Sequence, residues 1–435
     1  MTITTSLIVE IGNVGATYDF TDRAMGLRID QRCDIATFGT GQAVIQLNND
    51  DGALTPTPAG STYQQLSWFD LGVFISAEIT STGGTQTAEL FHGIVTDFEL
   101  IDDGVNSSVI LGCSDLFTIG ARSDVLFSSL SFSWAWTNAM IEQSFNGSGS
   151  LLPVPMPYLG AINTAIVDCI PSGAVESPVG QFIRLQNQDG ITVADLLNNG
   201  GLIERMAVAY PTTITLNAAV CTVSAISIDM TLTRRDDTNY GSFGRPIYEF
   251  SETPTGTEFP IGDMRRRHNI EGIINAAQVS SGNSSITWDP QLAVDSDSQQ
   301  QIGVRNTSYQ TYALYEFQAE WIATNLVNRF STLRFEPGEM SVKASQIATY
   351  ADDSADDQWT SLLDIRTALW CPAVLEYTPT GASTPIVSNT VITARRIEAS
   401  PADITVSFEL LPAADYQSFV LDSDVLGVLN QNRLG

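Results

Sequence analysis

Histidine and lysine are almost missing from this chain of 435 residues, which carries two histidines, His92 and His268, and a single lysine, Lys343. General-base and nucleophilic catalysis usually recruit an imidazole. His92 sits in the strand-and-turn context Leu90-Phe91-His92-Gly93-Ile94, and His268 follows Arg265-Arg266-Arg267. No G-x-S-x-G, H-E-x-x-H, P-loop or G-x-G-x-x-G pattern accompanies them. The expectation is therefore a protein that is not an enzyme and holds no cofactor. The five cysteines, Cys33, Cys113, Cys169, Cys221 and Cys371, are far apart and never form C-x-x-C. That spacing argues against a disulfide framework or a zinc site and reads as small buried hydrophobes. No run approaches the ~20 apolar residues that span a bilayer. Met1-Thr2-Ile3-Thr4-Thr5-Ser6 lacks the positive region and cleavage site of a signal peptide, so the expected place of synthesis is a cytoplasm.

Positive charge is also scarce. Twenty basic residues face 49 acidic ones, a net charge of −29 and a pI of about 4.1. Nucleic-acid binders neutralise phosphates with Lys and Arg, so most of this surface should repel DNA. Such acidity suits a wall past which DNA slides without sticking, and it equally suits plain solubility. The run Arg265-Arg266-Arg267 is read as balancing neighbouring carboxylates, with a subunit contact as the alternative.

What the chain has in quantity is alternation. Val44-Ile45-Gln46-Leu47-Asn48, Val109-Ile110-Leu111 and Ile404 to Leu410 place apolar residues near every second position, the period of a half-buried strand. Turn residues punctuate them at Asp51-Gly52, Gly83-Gly84, Asp103-Gly104, Asn146 to Gly149, Ser280 to Gly282 and Gly381. The class predicted is mainly β (α+β), with β-barrel-like or sandwich units. One long amphipathic helix is predicted over about 312–330, with Leu314, Phe317, Trp321, Leu326 and Phe330 near one face. Weaker helical signals run from Trp136 to Phe145 and from Thr192, whose Thr192-x-x-Asp195 resembles a capping box, to Gly200-Gly201. The chain divides into four segments: 1–125, strand-rich; 126–212, with short helices and Pro153-Val154-Pro155-Met156-Pro157; 213–264, a return to strands; and 265–435, a second β-rich unit.

Glycoside hydrolysis needs two carboxylates flanking one bond. The adjacent pairs Asp50-Asp51, Asp102-Asp103 and Asp236-Asp237 point to opposite faces of a strand and do not converge by themselves. Asp352-Asp353-x-x-Asp356-Asp357, and Asp295 with Asp297, have oxygen ligands that calcium accepts. Solvated loop is the simpler reading, and no metal is assigned.

Three stretches together carry a resemblance. Ala43 to Pro56 resembles the strand, Leu-Asp-Asn-x-Asp-Gly-x-Phe-x-Pro signature of the hub-type minor tail proteins of siphophages. Leu47, Asn49, Asp51, Gly52 and Pro56 match, while Asn48 and Leu54 replace the usual Asp and Phe. Phe91-His92-Gly93 followed by Val109 to Leu116, with Asp115, is similar to the continuation of that signature. Phe419 to Leu429, with Leu421, Asp422 and Gly427, and the ending Asn432-Arg433-Leu434-Gly435 resemble its C-terminal part. The likeness is poor across about 126–260.

The resemblance implies two tube-forming β-domains, 1–125 and 265–435, with a peripheral α+β domain at 126–212 and a segment 213–264 completing the first tube domain. It implies a tail-tip hub, a homotrimer whose six tube domains form a pseudo-six-fold ring. Its partners would be tail-tube or distal tail proteins above, tip or fibre proteins below, and the tape-measure protein within, with DNA passing unbound and no membrane insertion. The family's role is assembly, so no catalytic residue is carried over. A receptor-binding tip protein, stacking host glycans on its aromatics, is the alternative. A tail-associated hydrolase is the third and least supported reading.

Overall fold

The computed structural model describes residues 4–13, 16–32, 41–56, 68, 71–81, 83–104, 106–115, 134–136, 161–166, 182–184, 212–215, 222–224, 227–236, 248–254, 258–267, 272–281, 288–311, 316–332, 336–350, 355–364, 372–400 and 403–412. Among them the chain is mainly β with few helices, as the alternating tracts predict.

The first strands are β1 (Thr4–Asn13), β2 (Ala16–Asp19), β3 (Ala24–Arg32), β4 (Gln42–Asn48), β5 (Gly72–Ser81), β6 (Gly84–Asp102) and β7 (Ser107–Asp115). They pair antiparallel in the order β3-β4-β7-β6-β5-β1-β2. Hairpins at Gly83-Gly84 and Asp103-Gly104 close where the turn residues predict, with Gly84 and Gly104 at positive φ. The middle of the chain holds β8 (Trp134–Trp136), β9 (Ala161–Ile166), β10 (Phe182–Arg184), β11 (Thr212–Thr215), β12 (Thr222–Ser224) and β13 (Ser227–Asp236) in two small sheets. Trp136 lies in β8. The rest of the proposed 136–145 helix, the 192–201 segment, the Pro-rich stretch and the Asn146 to Gly149 turn lie outside the described residues.

The later elements are β14 (Tyr248–Ser251), β15 (Phe259–Pro260), β16 (Met264–Arg267), β17 (Ala276–Ser281), β18 (Gln291–Val294), α1 (Ser296–Ile302), β19 (Asn306–Thr311) and α2 (Glu316–Phe330). They are followed by β20 (Glu336–Lys343), α3 (Ala344–Tyr350), α4 (Ala355–Leu363), β21 (Pro372–Tyr377), β22 (Ile386–Ala399) and β23 (Ile404–Pro412). Long β22 splices the two halves of the chain. Its first part pairs with β21 and its last part, Ala394 to Ala399, pairs with Arg32 to Leu27 of β3. Its other side carries β23, then β20, then β16. The result is one 14-stranded sheet shared by both halves. Residues 248–260, assigned from sequence to a segment completing the first unit, hold β14 and β15; β14 pairs with β15 on one side and with β21 on the other.

Alternation explains the layering. Leu27 and Ile29 of β3, Ala43, Ile45 and Leu47 of β4, and Val406, Phe408 and Leu410 of β23 all face one continuous core. Helix α2 lies on β17 and β18 of a separate three-stranded sheet. Its buried stripe is Ala319, Ile322, Ala323, Leu326 and Val327, spaced i, i+3, i+4, i+7, i+8. Phe317, placed on the buried face from sequence, is 43% exposed. Ala319 and Ala323 are buried in the stripe beside Ile322, Leu326 and Val327.

Candidate functional site

The matched signature forms a corner after β4. Gly52 N–H donates to the Asn49 carbonyl at 2.8 Å, closing a turn over Asp50 and Asp51. Gly52 lies at φ 68°, the left-handed region, with open space where a Cβ would stand. Glycine is thus required here by backbone conformation and not by crowding. The side chain of fully buried Asn49 organises the residues just beyond the turn. Its amide donates to Thr55 Oγ1 and Ser107 Oγ at 3.0 and 2.9 Å, and its oxygen accepts from Leu54 N–H at 2.7 Å. Those bonds seat Leu54 in the core, where the family has Phe, and exposed Pro56 comes two residues later. Outside the corner, Arg23 grips Asp51 through two bonds, 2.9 and 2.6 Å, and donates to the Asn48 carbonyl. The Arg23 bond, with help from Ala53 N–H, holds the Asp51 carboxyl down at about 2. Asp50 accepts from Ser107 N–H, and Asp102 and Asp103 accept from Gly104 and Asn106 N–H. These acidic pairs are turn-forming side chains.

The second stretch lies at the other end of β4. Gly93 stands opposite Asp115 in the β6/β7 ladder, and a Cβ on it would collide with the Ser114 carbonyl and the Phe91 ring. Buried Asp115 accepts from Gly41 N–H at 2.6 Å, and its own N–H donates to the Gly41 carbonyl. A Cβ on Gly41 would meet Asp115 Oδ2 and, on its far side, Gln31 Cγ. Asp115 and Gln31 therefore both crowd Gly41.

Gln31 leads to a group that sequence reading missed. Arg395 of β22 is 2% exposed and donates to Gln31 Oε1, to the Leu363 carbonyl and to the Leu90 carbonyl at 2.5, 2.6 and 3.0 Å. Two of these acceptors are carbonyls that regular structure leaves free. Leu363 ends α4, where the last carbonyls have no helical partner and a cation is favoured by the dipole. Leu90 is the extra residue of a bulge, between the pairs Ser76–Glu89 and Ile75–Phe91. Burial pushes the Arg395 pKa below its ordinary value to about 10, against the pull of Asp364 and Tyr248. One guanidinium thus ties β22, β3, β6 and α4 together. Trp359 anchors α4 beside Phe259, whose ring packs on Phe250, itself against Phe408. The signal in sequence was an arginine on the buried parity of β22, in register with Ile397 and Ala399.

Leu421, Asp422, Gly427 and Arg433 lie outside the described residues, as do His268, Asp352 and Asp353, and every cysteine except buried Cys113. Asp356 and Asp357 fall in the first turn of α4. Asp295 caps α1 by accepting from Ser298 N–H. Among the described residues no group of three or more His, Cys, Asp or Glu is placed to hold a metal ion. No described helix is long and apolar enough to cross a membrane.

The opposite face of the large sheet is charged where β16, β20, β23, β22 and β3 lie side by side; farther along the same sheet, on β4 and β6, Val44 and Ile101 are exposed. Arg396 of β22 donates to Asp30 of β3 at 2.6 Å, and Arg28 donates to the same carboxylate at 2.6 Å. Partial burial pushes the Asp30 carboxyl up, but these two bonds outweigh it and hold it below its ordinary value.

The fold is one seen in a solved tail protein. A tail protein from Neisseria meningitidis MC58 has the same fold, with a TM-score of 0.53 at 10% identity over 94% of this chain and 98% of that one. The 43 kDa tail protein of prophage MuSo2 from Shewanella oneidensis scores 0.49 at 11% identity, covering 94% and 98%. A Francisella PdpA-VgrG complex scores 0.46 at 7% identity, covering 94% and 53%. No protein-family pattern matches the sequence. No curated protein matches it either.

Proposed function

We propose that this chain is a structural hub of a long-tailed phage tail tip, acting by assembly and not by catalysis. Three copies form a ring, with 1–125 and 265–435 as the tube domains, 126–212 peripheral and 213–264 completing the first tube domain. The observation that carries this reading is the one large sheet to which both halves of the chain contribute. In one run of eight neighbouring strands, the first half contributes β6, β7, β4 and β3, and the second half contributes β22, β23, β20 and β16. Four strands from each half allow a three-fold ring to offer a pseudo-six-fold inner wall to a six-fold tube. Three copies set about 24 strands side by side. At ~4.8 Å per strand and a tilt near ~40° the wall is roughly 48 Å across at the backbone, and side chains narrow it to about 35 Å. Duplex DNA fits through such a bore, and so does the end of a tape-measure protein. Tube proteins would dock above and tip or fibre proteins below.

A glycan-binding tip is less well supported, because Trp68 and Trp359, which would serve as stacking platforms, are buried. Electron microscopy of the purified assembly tests the hub reading. A three-fold ring with a near-six-fold inner wall is the expected image; a monomer at high concentration, or a ring of another order, rejects it.

A further inference from the structure

The polar face differs in charge from the rest of the chain. Among the described side chains, its arginines do not stand free. Arg28 and Arg396 share Asp30, at 2.6 Å each, Arg32 reaches Glu409 at 3.4 Å, and Arg265 reaches Glu339 at 3.9 Å. The Arg32 contact passes over Ala394, the residue that stands between them in the ladder, so a small side chain in β22 permits it. Glu398 lies directly opposite Arg28 in the next cross-strand row, and Thr405 separates it from Lys343. Cation and carboxylate thus interleave across strands that come from both ends of the chain. All of these side chains are at least partly exposed, and exposed ion pairs contribute only about 0–1 kcal/mol each. Stability does not account for so regular a pattern.

We propose that these carboxylates neutralise the arginines of the channel face, so that passing duplex DNA meets paired guanidinium charges in place of an arginine-lined wall. The inference rests on the hub reading for its placement of this face in the channel. The physical reason is distance dependence. A free arginine attracts a phosphate as a point charge, whereas a closed ion pair acts only as a short dipole whose field falls off much faster. A wall of bare carboxylates would repel DNA along its whole length and raise the energy of entry. A wall of bare arginines would hold it through counterion release. The interleaved wall does neither.

The test uses the full chain and its Asp30→Asn, Glu339→Gln, Glu409→Gln triple variant, which frees Arg28, Arg396, Arg265 and Arg32. Binding to a fluorescent DNA duplex is followed by anisotropy across a salt series. The wild type should show no salt-dependent binding. The triple variant should bind, with affinity falling roughly a hundredfold between about 50 and 200 mM salt as about four phosphate contacts are screened. Adding Arg396→Gln should reduce that salt slope by about one. A control with the same change in net charge, Asp289→Asn, Asp297→Asn, Glu320→Gln on the unit carrying α1 and α2, should not bind. Binding by the wild type, equal binding by the control, or no binding by the triple variant overturns the inference. The same samples imaged for rings keep the two readings apart. Rings without triple-variant binding sink the neutralised wall alone, and binding without three-fold rings sinks the hub and with it the placement in a channel.

Discussion

Replacing Arg395 with Met removes the guanidinium but keeps most of the side-chain volume, so the change falls on the polar joint and not on packing. Two opposing effects set its size. Burial makes the charge unfavourable in place even with Asp364 and Tyr248 pulling the other way, holding the pKa down at about 10, and the variant recovers that cost. Against this, Gln31 Oε1 and the Leu363 and Leu90 carbonyls each lose a donor. A buried acceptor left unsatisfied costs about 1–3 kcal/mol, and the nearby Asp364 carboxyl loses its cation. The loss wins, with a net destabilisation of about 3 kcal/mol, the range observed when one partner of a buried ionic group is deleted. Urea unfolding of the full chain, read as the midpoint at constant slope, measures it. Arg395→Lys keeps charge without the planar fork and should fall between wild type and Met. The adjacent Arg396→Met serves as control on the opposite face and should shift stability by less than about 1 kcal/mol. A loss under about 1 kcal/mol for Arg395→Met, or one equal to that of Arg396→Met, would refute the assignment of Arg395 as the joint.

Other consequences are open to simpler measurements. Asn49→Ala removes three hydrogen bonds from a buried amide and should cost about 2–4 kcal/mol in denaturant unfolding, whereas a loss within error would mean that the Asn49 bonds do not hold the corner. Gly52→Val forces a β-branched residue to φ 68° and should lower stability by about 1–2 kcal/mol; an unchanged melting temperature would reject the turn. The Asp51 carboxyl is depressed in the folded chain to about 2, so its contribution is complete above the unfolded pKa of about 3.9 and disappears as pH falls towards 2. Asp51→Asn should therefore weaken the protein at pH 6, by less than about 1 kcal/mol because the pair is partly solvated, and leave it unaffected at pH 2. Subunits of net charge −29 repel, so ring formation should strengthen with added salt; sedimentation showing weaker assembly at higher salt would count against it.

Much of the fold was legible because it is local. The alternation in β4, β7 and β23 and the Asp-Gly and Gly-Gly turns depend on neighbours in sequence, and the strands and hairpins stand where those signals lie. The helix signal at 312–330 likewise yields Glu316–Phe330, though the exposed Phe317 shows that periodicity alone does not say which residues touch the sheet. Short α3 and α4 carried too few turns to register, and α4 is held by what it meets: Arg395 at its end and Phe259 beside Trp359.

Composition and local pattern by themselves determined a mainly β, acidic chain with a glycine-dependent corner at Asn49 to Gly52. Tertiary structure alone decided which of two adjacent arginines is buried and which faces solvent. Arg395 and Arg396 differ by one step of strand parity, and their partners Gln31 and Asp30 lie 364 and 366 residues away. No window of sequence spans that separation; only the pairing of β22 with β3 brings the two ends of the chain into one sheet and gives each arginine its carbonyls or its carboxylate.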